Sequence, residues 1–165
     1  MEIIKHKTII YLLSLTSLSI TTFQLPAKQP TGQRKTHAQQ LIDQMVARYP
    51  EVENVGMAVE SGMGCATVAA TDPKDIGTRC DEDEYSPMQT GEPNVEDPTK
   101  EDPIYDITQA LHDSSGNLIG AVGMDLVPQP GQERDAVVAG ALKILQDLEA
   151  RIPSKSQLFE PASTP

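Results

Sequence analysis

The chain has 165 residues, room for one domain with tails, and a formal net charge of −11. That charge opposes nucleic-acid binding, which needs a basic face, while it accommodates a cationic or zwitterionic ligand. With no tryptophan and 4% aromatic residues it offers no stacking platform for bases or sugars, and its 2 cysteines are too few for a disulfide scaffold.

The first residues, MEIIKHKTIIYLLSLTSLSITTFQLPAKQ, place a short basic region (Lys5, His6, Lys7) before an apolar run from Thr8 to Ile20, then Pro26-Ala27. That is the layout of a secretory signal over 1–27, and it predicts a periplasmic or secreted protein. An uncleaved anchor helix is the alternative, although the run is short of the roughly 20 apolar residues a span prefers. Residues 28–35 read as a polar linker. In an oxidising compartment Cys65 and Cys80 are expected to pair, closing a short loop at a typical gain of about 3 kcal/mol. There is no C-x-x-C, and His6, His37 and His112 stand apart, so neither a redox motif, covalent haem nor a metal site is supported and no cofactor is expected.

Thr36 opens a helix with Gln39 three residues later, a capping-box pair. Ala38, Leu41, Ile42, Met45 and Tyr49 follow helical spacing until Pro50 ends it. VENVGMAVES puts Val55, Met57 and Val59 on one strand face, Gly62 and Gly64 turn the chain, and CATVAATD returns as a second strand. DPKDIG is a turn by composition, and Asp81 to Pro103 is an acidic, proline- and glycine-rich excursion with no strong period. Two further strands, about 104–111 and 118–127, flank the turn DSSGN. A last helix runs from about 132 to 152 on a stripe of Val137, Ala141, Ile144, Leu148 and Ile152. The domain is thus expected over 36–152 with a flexible tail at 153–165, as an α+β fold: an antiparallel sheet with a long N-terminal and a C-terminal helix against one face.

Pairing Leu111 with Leu118 places Tyr105, Ile107 and Leu111 beside Met124, Val122 and Leu118 on one apolar face. The other face then carries Ile104, Asp106, Thr108, Ala121, Gly123 and Asp125. Its small residues leave a concavity, since glycine often marks close approach of a ligand or another backbone. The 81–103 excursion is placed to fold over it, as long loops inside compact domains often serve function.

In this order the pieces resemble a single Cache domain, the PAS-like extracytoplasmic sensor family of bacterial receptors. The resemblance rests on the helix before the sheet, VAATDPKDIG, the TGEP turn, and YDITQALHDSSGNLIGAVGMDL with Asp113, Gly116, Gly120, Gly123 and Asp125, over roughly 36–128. It implies a ligand between the small-residue face and the long loop, with Asp125 holding a ligand amino group and Asp106 and Thr108 beside it. Tyr105 is a further candidate, but it falls on the apolar face and reads as core or rim rather than ligand. Arg79 and Lys100 flank the loop and are the side chains available to hold a carboxylate by charge-assisted hydrogen bonds. The arginine- and tryptophan-containing helix motif of many double Cache sensors is missing, as are a second hydrophobic span and an output domain. The expected protein is therefore a free-standing exported sensor that binds an amino acid, amine or carboxylate for signal transduction. A membrane receptor or kinase is the implied partner, with pairing of terminal helices between subunits.

Other classes fit less well. The DEDE run, Asp81 to Glu84, lacks the alternating spacing that wraps oxygens around calcium. No G-x-S-x-G turn or histidine–acid partner supports a hydrolase, and an acidic face alone specifies no reaction, so no enzyme is expected. A second reading, from a different class, is a protein-interaction module that engages a membrane partner through its face or terminal helices without a small ligand.

Overall fold

A computed structural model describes residues 35–162; the expected signal segment, nearly all of the linker and the last three residues lie outside the described residues. Five strands form one antiparallel sheet: β1 (Val52–Ser61), β2 (Gly64–Ala70), β3 (Asn94–Glu96), β4 (Tyr105–His112) and β5 (Leu118–Leu126). Their spatial order is β2-β1-β5-β4-β3. With helices α1 (His37–Arg48), α2 (Glu82–Thr90) and α3 (Arg134–Glu149), this is an α+β fold with a PAS-like sheet, as expected.

The alternation of the strands fixes the two faces. Val55, Met57, Val59, Ile107, Val122 and Met124 point to one side, where the apolar stripes of α1 (Leu41, Ile42, Met45) and α3 (Val137, Ile144, Leu148) cover them. Thr36 caps α1 by accepting the Gln39 amide at 3.2 Å. Gln39 does not complete the capping box. Its side chain instead bonds both backbone groups of Ala70, at 2.9 and 3.2 Å, and so ties α1 to the end of β2.

Three expectations are corrected. The β4–β5 pairing is shifted by two residues: Leu111 lies opposite Gly120, and Asp106 opposite Asp125. The Asp113 carboxylate gathers the Ser115 and Asn117 amides into a tight turn, so His112 meets Leu118 and a bulge follows. An even shift keeps each residue on its expected face, but Ile119 takes the core position while Leu118 is 43% exposed. The excursion from Asp81 to Pro103 is not unstructured: it holds α2 and the edge strand β3. Finally, residues 153–162 are no loose tail. They form a 3-10 turn, Lys155–Phe159, with Leu158 fully buried, and Pro161 bridges back to Thr36.

Candidate functional site

The sheet face opposite α1 and α3 carries short side chains, which leave space above it. Gly123 lies opposite both Gly56 on β1 and Thr108 on β4, and a Cβ at Gly123 would stand 3.2 Å from the Thr108 hydroxyl. These residues floor an open cleft of about 240 Å3, together with Thr67 from β2. Gly120, by contrast, is a packing glycine. A Cβ there would stand 2.0 Å from the Ala58 carbonyl oxygen of the neighbouring β1, so this position admits no side chain.

The far wall comes from the start of α2 and the turn before it, with Asp75, Thr78, Asp81, Asp83 and Glu84 lining the cleft. Asp81 caps α2 through a reciprocal capping box with Glu84: Asp81 accepts the Asp83 amide at 3.0 Å, and Glu84 accepts the Asp81 amide at 2.9 Å. Asn94 of β3 donates to Asp83 at 2.9 Å, fixing the wall to the sheet edge. A second cavity of about 260 Å3 opens under the β3–β4 connection, lined by Glu96, Thr99, Asp102 and Ile104. Asp106 and Asp125 line both cavities and form their common wall.

That pair is the electrostatic centre of the site. The two carboxylates are direct cross-strand partners, an arrangement in which like charges repel. Asp106 is exposed at the cleft mouth, yet desolvation by the walls, and then Asp125, Glu96, Asp83 and Glu84, push its carboxyl up to about 6. Burial also raises Asp125, reinforced by Asp102 and Glu53 and opposed by a hydrogen bond from the Asn54 side chain. Among the described residues no lysine, arginine or histidine lines either cavity. Arg134 pairs at 2.7 Å with Asp97, which lines the second cavity, without lining it itself. The arrangement therefore attracts a cation, which in turn favours the ionised form of both carboxyls.

Of the side chains singled out in the sequence, Asp125, Asp106 and Thr108 are brought together here. Tyr105 is not among them: it packs against the core cluster on the opposite face. Arg79 bridges to Ala66 along the outer side of β2, and Lys100 stands exposed in the β3–β4 connection; neither lines a cavity. The anticipated carboxylate clamp is thus absent from this site. Sequence reasoning missed the α2 wall, although its signal was visible: Asp81-x-x-Glu84 has the spacing of a capping box. Cys65 and Cys80 form the expected disulfide, with Cα atoms 5.3 Å apart.

No protein-family model matches the chain, and no curated protein does. Among solved structures it is similar to the repressor BlcR of Agobacterium tumefaciens, at 11% identity and a TM-score of 0.47 over 70% of this chain and 67% of that one. It is also similar to the inducer-binding domain of a double mutant of the transcription factor PobR from Acinetobacter, in complex with 3-hydroxybenzoic acid. There the identity is 8% and the TM-score 0.42, over 71% of this chain and 95% of that one. Overlaps this loose say nothing about this chain's own ligand.

Proposed function

We propose that the chain is an exported small-molecule-binding sensor domain of the Cache type, and that its ligand carries an ammonium group. The observation that carries this reading is the Asp106–Asp125 pair, set across two strands in the common wall of two cavities that no basic side chain among the described residues lines. An amine placed between the carboxylates replaces their repulsion by two charge-assisted hydrogen bonds. A free carboxylate finds no donor of charge there, which favours amines and amino acids over simple acids. Among the described residues no three His, Cys, Asp or Glu side chains are grouped to hold a metal ion, which favours an organic cation over a divalent one. Export is supported by the basic and apolar start of the chain and by the disulfide. A membrane receptor or kinase would then read the occupied state.

A thermal-shift screen against amines, amino acids, short carboxylates and calcium tests this reading. Saturating ligand stabilises by about 2.7 kcal/mol at 100-fold excess over Kd. The expected hit bears an ammonium group and disappears in Asp125→Ala. Stabilisation by acids alone, or by none of these compounds, would overturn it.

A further inference from the structure

We propose that the ligand of the acidic face is a linear diamine or polyamine, laid across the strands along a row of carboxylates. The pairing of the strands aligns that row. Glu96 of β3 lies opposite Asp106 of β4, and Asp106 lies opposite Asp125 of β5. Asn54 of β1 comes next, opposite Asp125, and its side chain hydrogen-bonds that carboxylate. All three acids stand on the face away from α1 and α3: Asp106 and Asp125 line both cavities, and Glu96 lines the second. Strand spacing sets the three positions about 5 Å apart, so that Glu96 to Asp125 spans about 10 Å.

Like charges directly opposite one another weaken a sheet, and this row holds two such pairs in succession. Among the described residues no basic side chain lining the cavities relieves either pair. One ammonium group sits between only two of the three carboxylates. Two or three ammonium groups separated by methylenes match the whole row.

Two neutral groups on the same surface distinguish it from a merely solvated acidic patch. Thr108 is 6% exposed, and its hydroxyl stands over Gly123 in the floor of the first cavity. That hydroxyl has no hydrogen-bond partner among the described residues, which leaves an acceptor free for an ammonium N–H beside Asp106. In the second cavity Ile104 gives a methylene chain an apolar surface to lie on. Asp106 is exposed, so the ligand crosses the ridge between the cavities in the open. A free amino acid matches less well, because its carboxylate meets a row of acids. The inference rests on the ammonium-binding reading and narrows it from a single ammonium group to a linear polycation.

Calorimetric titration of the full chain at pH 7 with butylamine, diaminobutane and aminobutyrate tests it. These compounds have chains of equal length that end in a methyl, an ammonium and a carboxylate group. Diaminobutane should bind on the order of tenfold tighter than butylamine, and aminobutyrate more weakly than either. Glu96 is exposed on the edge strand, so Glu96→Gln spares the core, and in that variant the advantage of diaminobutane over butylamine should largely disappear. If butylamine binds and diaminobutane binds no tighter, the polycation inference falls while the ammonium reading stands. An undiminished advantage in Glu96→Gln, or aminobutyrate binding tighter than diaminobutane, would also overturn it. If no amine binds, both fall together.

Discussion

At the scale of single residues, the sheet contains two glycines three positions apart with opposite meanings. Gly120 abuts the backbone of Ala58, so Gly120→Ala has no flexible neighbour to displace and should cost roughly 3 kcal/mol or more in chemical denaturation. Gly123 faces only the Thr108 hydroxyl, so Gly123→Ala should cost about 1 kcal/mol or less while narrowing the cleft floor. Near-equal costs would mean that Gly120 does not abut the β1 backbone as the register puts it. Asp106 supplies a pH test. Its folded carboxyl holds a proton up to about 6 against 3.8 ordinarily, so its contribution to stability is complete below 3.8 and is lost as pH rises through 6. Asp106→Asn should therefore stabilise the empty protein at pH 7, by up to about 1 kcal/mol given solvent screening, and gain nothing at low pH. Urea titrations of both proteins at the two pH values check this; destabilisation at pH 7 would show that the pair is not repulsive. The sequence made Asp106, Thr108 and Asp125 legible because strand alternation assigns faces whatever the even shift in register. It could not show that Asp106 and Asp125 are direct partners, because that depends on how Asp113 closes the turn.

At the scale of elements, α1, α3 and four strands were legible because each buries a regular apolar stripe against the same core. α2 and β3 were not, for the same physical reason. A helix that buries only Pro87 and an edge strand of 3 residues have no hydrophobic period to read, and are held by caps and pairing. Arg79 and Lys100 were candidates because they flank the excursion, read as a loop folding over the site; α2 supplies the wall instead, while Tyr105 packs on the apolar face where alternation put it. The C-terminal segment was misread because one buried residue, Leu158, sets its position, and a lone leucine in a polar stretch has no pattern. Leu158→Ala should accordingly cost about 2–4 kcal/mol, as a core truncation does. A cost near zero in equilibrium unfolding would return the segment to the status of a tail.

At the scale of the molecule, the sheet divides the labour. One face packs two helices and supplies the stability; the other keeps small and acidic residues beneath the wall that α2 provides. With a net charge of −11 the whole chain draws cations toward that second face. Affinity for an amine should then fall several-fold as ionic strength rises and the screening length shrinks from about 30 Å at 0.01 M to about 8 Å at 0.15 M. The most direct measurement is a calorimetric titration at pH 6 with an ammonium-bearing ligand, run in two buffers of different ionisation enthalpy. Because an ammonium group favours the ionised carboxylate, binding should be saturable and release protons from Asp106, and both effects should vanish in Asp125→Ala. Binding that takes up protons, or that persists unchanged in Asp125→Ala, would contradict the account.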